Sequence, residues 1–242
     1  MKAMVFAAGL GTRLRPLTDS KPKALIELGG KTFLENVITK LIHFSVDEIV
    51  VNVHHFAGQI IDFLEQNNNF GITIHISDER GQLLDTGGGL KKAAPFLAGG
   101  EPVIIYNVDI LSDISLSEVV EYHKRKRALA TIVVRKRETQ RYLLFDEDSR
   151  LIGWKNTATG EEKISIPGKS ESATPLAFSG IHVISPGIFR HINQEGRFSI
   201  IGTYLELSKK HKIIGYRDRS GYWMDIGRPE QLKEAGKLFK TP

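Results

Sequence analysis

The sequence predicts a three-layer α/β/α fold with a mostly parallel central sheet, carried in a single domain. Three observations lead there. Strand-like apolar runs alternate with amphipathic helical patterns through the first half, and the first strand runs directly into a glycine turn. The 242 residues, 41% of them hydrophobic, can bury a full core and contain no internal repeat, low-complexity tract or linker.

Residues 2–8 open as a short apolar strand carrying Ala3, Met4, Val5 and Phe6. A helix at 32–44 places Phe33, Val37, Ile38, Leu41 and Ile42 on one face. Residues 48–53 read as a strand, 58–66 as a helix and 72–76 as a strand. A glycine-rich turn then opens a helix through Ala94, and 102–106 is the next strand. After a helix at 118–127 the pattern becomes β-rich, with short runs at 130–135, 142–145 and 151–154, and 156–174 reads as an exposed loop. Residues 177–184 and 213–216 read as strands, 203–210 and 229–239 as helices. Parallel sheets bind ligands outside the carboxyl ends of their strands, so chemistry is sought immediately after each one.

Composition removes several classes. There is no cysteine, so neither a disulfide framework nor a thiolate metal site is available. The amino terminus has no leader pattern and no apolar run reaches the length of a membrane span, which predicts a cytoplasmic protein with no membrane partner. A formal charge of +5 favours anionic ligands. The two basic clusters, 123–127 and Arg135 to Arg137, read as solvated element ends without interleaved aromatics, so no nucleic acid is expected. The eight histidines show no zinc-binding spacing; His54 and His55 follow a strand and could touch a substrate. Oligomeric state is not legible.

The segment F-A-A-G-L-G-T-R-L-R-P-L-T-D-S-K-P-K, residues 6–23, carries the strongest signal. Gly9 and Gly11 let the backbone N–H groups approach a ligand, Arg13 and Lys23 supply charge for a polyphosphate, and Pro16 and Pro22 stiffen the loop. It is neither a dinucleotide fingerprint, because Leu14 stands where a third glycine is needed, nor a Walker A motif. Two further strand-end carboxylates stand out. Asp109 ends I-I-Y-N-V-D, and Asp225 interrupts the apolar run Y-W-M-D-I-G. With a phosphate loop they suggest a site for one Mg²⁺, an ion that takes few carboxylates and completes its shell with phosphate and water. The run L-D-T-G-G-G-L at 84–90 costs conformational entropy, and a flat ligand approaching the backbone closely gives a reason for it.

These motifs resemble the sugar-1-phosphate nucleotidylyltransferases, whose signature is L-A-A-G-x-G-x-R-(L/M)-x-P-L-T followed by P-K. Phe6 replaces an aliphatic residue, and Val108 stands where a glycine is common in the (N/G)-x-D motif, while Trp223 to Gly227 match W-x-D-(I/V)-G. The form (E/D)-T-G-G-G is most similar to the N-acetylmuramate-1-phosphate uridylyltransferases. The resemblance implies a Rossmann-like nucleotidyltransferase fold that joins a nucleoside triphosphate to a sugar-1-phosphate and releases pyrophosphate. It implies that residues 1–128 mainly bind nucleotide and 129–242 mainly sugar phosphate. Ala8, Gly9, Gly11 and Thr12 would cradle the triphosphate, Arg13, Lys23 and Asp109 would be catalytic, and Asp109 and Asp225 would hold Mg²⁺. Thr86, Gly87 and Gly88 would line the base, with Asp85, Asn107, Ser179 and Gly180 near the sugar or its phosphate. Lys155 is a weaker candidate for a second phosphate cation. With no left-handed β-helix or other carboxyl-terminal domain in these 242 residues, the transferase activity alone is expected.

UTP with an N-acetylated amino sugar or muramate phosphate leads; GTP with mannose- or heptose-1-phosphate and dTTP or UTP with glucose-1-phosphate are alternatives. Two other classes stay open: a sensor that keeps the pocket without the chemistry, and a nicotinamide oxidoreductase, against which Leu14 counts.

Overall fold

A computed structural model of the chain describes residues 1–168 and 172–238. Its main sheet has ten strands. Four of them, β1 (Lys2–Phe6), β4 (Glu48–Val53), β5 (Thr73–Asp78) and β6 (Val103–Asn107), lie parallel in the order β6, β1, β4, β5. On the other side of β6 the sheet turns mixed. The long strand β12 (Thr174–Ile184) runs antiparallel to β6, to β8 (Ala130–Arg135) and to β9 (Arg141–Phe145). Strand β13 (Ile213–Arg217) pairs parallel with β8, and β10 (Leu151–Asn156) and β11 (Glu162–Ile164) extend the β9 edge. Two small sheets complete the set: β2 (Glu27–Leu28) with β3 (Lys31–Thr32), and β7 (Ile110–Ser112) with β14 (Trp223–Asp225).

Successive residues of a strand face opposite ways, and the core divides accordingly. Ala3 and Val5 join one apolar cluster with α1 (Phe33–His43), α2 (Ala57–Gln66) and α4 (Leu116–Lys126). Met4 and Val50 join the other, with α3 (Asp85–Leu97) and α5 (Ile200–Ser208). Strands β1, β4 and β6 are buried along most of their length and therefore read as near-continuous apolar runs, whereas β5, at the edge of the sheet, is mostly half-buried and alternates apolar with polar residues. Helix α1 buries Phe33, Leu34, Val37, Ile38 and Leu41, and Thr32 caps it by accepting the Glu35 N–H at 3.0 Å. A final helix, α6 (Pro229–Leu238), puts Ala235 into the first cluster.

Nearly every predicted element appears, and several differences bear on the site. The first strand stops at Phe6, freeing Ala7 and Ala8 for the site. The expected loop at 156–174 contains β11 and the first residue of β12, and its residues 169–171 lie outside the described residues, as does Phe239 of the last expected helix. The three glycines at 87–89 lie within the first turns of α3 instead of forming a turn before it. The basic clusters are not simply solvated. His123 is buried between Thr131 and Ser185, at 2.9 and 3.0 Å, and Arg135 pairs at 2.8 Å with Asp218, whose side chain is 2% exposed.

Candidate active site

A cavity of about 420 Å³ opens where β1, β4, β5 and β6 end. The loop after β1 gives it Ala8, Gly9, Gly11, Thr12 and Arg13; Lys23, Asn107, Asp109, Asp85 and Thr86 also line it. The order of strand ends sets the axis of the site. Asp109 follows β6, the glycine loop follows β1, Asn52 ends β4 but for one residue, and Glu79 follows β5. Three inter-strand spacings, roughly 14 Å, separate the β6 end from the β5 end.

The loop is held open by its own residues. Gly11 takes φ +67°, and its carbonyl accepts from Leu14 N–H at 2.8 Å and Thr18 Oγ1–H at 2.9 Å. A Cβ there would stand 2.8 Å from Thr18 Cγ2, so glycine is required twice over. Leu14, the residue that breaks the dinucleotide fingerprint, is fully buried and anchors the loop to the core. Arg13 is exposed, while Lys23, at the start of a short 3₁₀ turn after Pro22, is buried and ion-paired with Asp109.

The two aspartates come together because β7 follows Asp109 directly and pairs with β14. Asp225 lies opposite Ile110, and Ile226 N–H donates to the Asp109 carbonyl at 2.8 Å. Asp225 Oδ1 is buried without a hydrogen-bond partner among the described residues. Burial raises the Asp225 carboxyl above its ordinary value and the Asp109 charge raises it further, against the pull of Lys23, Arg13 and Arg137. Gly227 completes the corner: a Cβ there would stand 2.7 Å from Arg13 Nη2 and 2.8 Å from Asp225 Oδ1. Two hard oxygen donors, one with its charge buried and uncompensated by any hydrogen bond, suit a divalent cation that shares its shell with phosphate. Among the described residues there is no cluster of three or more His, Cys, Asp or Glu for a cation held by protein alone.

A polar relay was missed in the sequence. Asn52 Oδ1 accepts from Ala7 N–H at 2.7 Å and Ala8 N–H at 3.3 Å, and its Nδ2 donates to Glu79 Oε1 at 2.7 Å. Glu79 Oε2 in turn accepts Leu84 N–H at 3.0 Å, and His54 contacts the Glu79 carbonyl at 2.7 Å through Nδ1. Glu79 is 1% exposed, so this carboxylate is a structural brace that ties the β1 loop to the turn before α3. The available signal was an amide ending the apolar run E-I-V-V-N-V at the ligand edge.

The triple glycine has a different role from the one expected. Gly87 and Gly88 do not line the cavity. Both donate to the Phe198 carbonyl, at 2.9 and 3.3 Å, and any Cβ would overlap the Phe198 ring or the Gly196 carbonyl. At Gly89 a Cβ would stand 2.7 Å from Glu79 Oε1. The close approach is protein on protein. Asp85, at φ +59°, and Thr86 do reach the cavity, and Thr86 Oγ1 accepts Ile200 N–H at 3.1 Å.

Ser179 and Gly180 border the site from behind. Ser179 is fully buried, its carbonyl accepts Trp223 Nε1–H at 2.8 Å, and its hydroxyl faces no ligand space. Gly180, at φ +74°, lies where the register of β12 against β8 shifts and leaves room for Ile110 and the Asn107 amide. Lys155 lies over the Tyr142 ring and not on the cavity. Arg137, expected to be solvated, stacks on Trp223 and donates to the Phe178 carbonyl at 3.0 Å.

A nucleotidyl transferase family model matches residues 2–241. The N-acetylmuramate alpha-1-phosphate uridylyltransferase of Caulobacter vibrioides is 33% identical over 94% of this chain and 92% of its own length. The protein of that name from Neisseria meningitidis is 29% identical over 98% of each chain. A mannose-1-phosphate guanyltransferase from Yarrowia lipolytica is 29% identical over 99% of this chain but only 64% of its own. In structure, UDP-glucose pyrophosphorylase from Acinetobacter baumanii superposes with a TM-score of 0.79 at 17% identity, over 98% of this chain and 92% of that one, a likeness of fold. A family match that leaves out almost none of the sequence joins the strand-end geometry above, and the chain belongs to the nucleotidyl transferase family.

Proposed function

We propose that the protein transfers a nucleoside monophosphate from a nucleoside triphosphate to a sugar-1-phosphate. The observation that carries this reading is the placement of Gly9 to Arg13, Lys23 and Asp109 on one cavity. The acceptor's phosphate oxygen attacks the α-phosphorus, forming a new P–O bond. The bond from that phosphorus to the α,β-bridging oxygen breaks, and pyrophosphate leaves with the electron pair. The nucleophile is already an anion, so no general base is required.

The protein's task is to offset repulsion between two anions and align them. Backbone N–H groups of the β1 loop cradle the triphosphate. Arg13, exposed on the loop, meets the β- and γ-phosphates and the charge that accumulates on pyrophosphate. Lys23 neutralises Asp109 in the free protein and would serve the α-phosphate once the nucleotide binds. Asp109 and Asp225 would hold Mg²⁺, which when bound offsets phosphate charge and makes the α-phosphorus more electrophilic.

UTP and N-acetylmuramate-1-phosphate are the leading substrates. Support comes from the two relatives of that name, which align with this chain over nearly their whole length, and from the D-T-G-G-G form. GTP with mannose-1-phosphate is the second reading, after the guanyltransferase relatives. The test is a matrix of four nucleoside triphosphates against a panel of sugar-1-phosphates, scored by pyrophosphate release with Mg²⁺ and with chelator. Release from one pair, abolished by chelator, is expected. Ligand-induced stabilisation without any release would instead identify a nucleotide-sugar sensor.

A further inference from the structure

Arg197 reaches the cavity from the segment between β12 and α5, a stretch with no recognisable motif. It is exposed, and among the described residues no hydrogen bond or ion pair engages its guanidinium. Its backbone is tightly placed nonetheless. Phe198 N–H donates to the Leu84 carbonyl at 3.2 Å, Phe198 O accepts from Gly87 and Gly88, and Ile200 N–H donates to Thr86 Oγ1. The Gly196 carbonyl occupies the place where a Gly88 side chain would be. Gly87 and Gly88 thus seat residues 196–198, whose exposed cation is Arg197.

Charge decides what that cation is for. Lys23 is paired with Asp109, and among the described residues Arg13 and Arg197 are the cavity's cations without a carboxylate ion pair. Arg13 comes from the β1 loop and lies against Gly227 at the corner of the two aspartates. Arg197 comes from the second half of the chain, beside Thr86 and the start of α3. The reaction brings a second anion into the cavity, and Lys155 is not there to meet it. We infer that Arg197 binds the anionic group of the acceptor sugar phosphate and holds it against the triphosphate. A guanidinium suits the task because its fork of donors matches phosphate and carboxylate oxygens.

This inference rests on the transfer reading above, and the experiment separates the two. With the substrate pair that the wild-type enzyme turns over, Arg197→Ala is expected to raise KM for the acceptor roughly tenfold or more, with KM for the triphosphate within about twofold. Arg197→Lys should recover part of the loss. Gly88→Ala, which displaces the Gly196 carbonyl, should reproduce the acceptor defect. A rise confined to the triphosphate, an equal rise for both substrates, or no change overturns the assignment. Thermal shift with N-acetylmuramate-1-phosphate, glucose-1-phosphate and inorganic phosphate gives a readout independent of turnover. These anions should stabilise the wild-type protein and not Arg197→Ala, and equal stabilisation refutes the role. If the wild type releases no pyrophosphate with any pair, the transfer reading fails, while the thermal shifts still decide whether Arg197 binds the anion.

Discussion

The guanidinium of Arg137 lies over the indole of Trp223, 4.4 Å from the ring centroid, and the same arginine donates to the Phe178 carbonyl while its charge acts on Asp225. One side chain therefore links β12, β14 and the acidic corner. A cation–π contact at a partly buried site contributes about 1 kcal/mol, so Arg137→Ala should lower stability modestly. Its larger effect falls on Asp225, which loses a compensating charge. Turnover should drop at least severalfold, while the Mg²⁺ concentration for half-maximal rate shifts downward because a cation that opposed the metal ion is gone. A variant that loses stability but keeps both kinetic parameters would confine Arg137 to packing.

Asp109→Asn and Asp225→Asn should each abolish pyrophosphate release while circular dichroism reports an intact fold. Near-wild-type turnover in either would remove that residue from the metal site.

Asp225→Asn should also raise the stability of the metal-free protein at neutral pH. The raised carboxyl value means that the folded chain binds more protons at this site than the unfolded chain over the window above 3.8. Stability therefore falls as pH rises through that window, and the deficit persists at pH 7. The amide removes it, so the gap in unfolding midpoint should be present at pH 7 in chelator and narrow as pH approaches 3.8. Added Mg²⁺ should stabilise the wild type and not the variant. A lower midpoint for Asp225→Asn at pH 7 would refute the argument.

Arg13→Ala should cost several kcal/mol of transition-state stabilisation, as expected for a lost phosphate clamp. Gly227→Ala should give a milder form of the same defect, because its methyl group would displace both Arg13 Nη2 and Asp225 Oδ1. Single-turnover rates at saturating substrates measure both. Unchanged rates in folded Arg13→Ala would sink the assignment.

Acid stability reports on a different pair of residues. Burial lowers His123 to about 4 and His182 to about 3, so both are neutral in the fold at pH values where the unfolded chain protonates them. Stability is complete above pH 6.5 and is lost as pH falls below it, by about 1.4 kcal/mol per pH unit for each histidine. Replacing the buried His182–Tyr204 pair by two phenylalanines should remove one proton's share of that slope in denaturant titrations from pH 6.5 to 4.5. An unaltered slope would show that the site does not exclude the proton.

The sequence was most legible where local chemistry and tertiary position agree. Residues 2–8 read as a buried strand, and Gly9, Gly11, Arg13 and Lys23 add a glycine turn and two cations that a strand end alone does not call for. Asp109 and Asp225 were found as acids at strand ends, a local anomaly. Asn52, Glu79 and Arg197 were not found, because each looks ordinary beside its neighbours and acquires its role from a contact 27 to 45 residues away or from a cavity wall. The triple glycine was noticed for a sound reason, the cost of ordering it, but sequence cannot say which body comes close. Here Phe198 and the Gly196 carbonyl do. The basic run at 135–137 misled for a similar reason: composition suggested solvent, whereas Asp218 and Trp223 are its partners.

Strand β12 is hydrogen-bonded at one end to β9 and at the other to β6, with the register shift at Gly180 between them. Division of labour between the first 128 residues and the rest is consequently not a division of the molecule. A chain severed near residue 128 would leave β6 paired with β1 on one side and open on the other, an apolar edge that invites aggregation. The two fragments should regain a competent enzyme only when mixed while unfolded, so that β12 can be captured as the sheet forms.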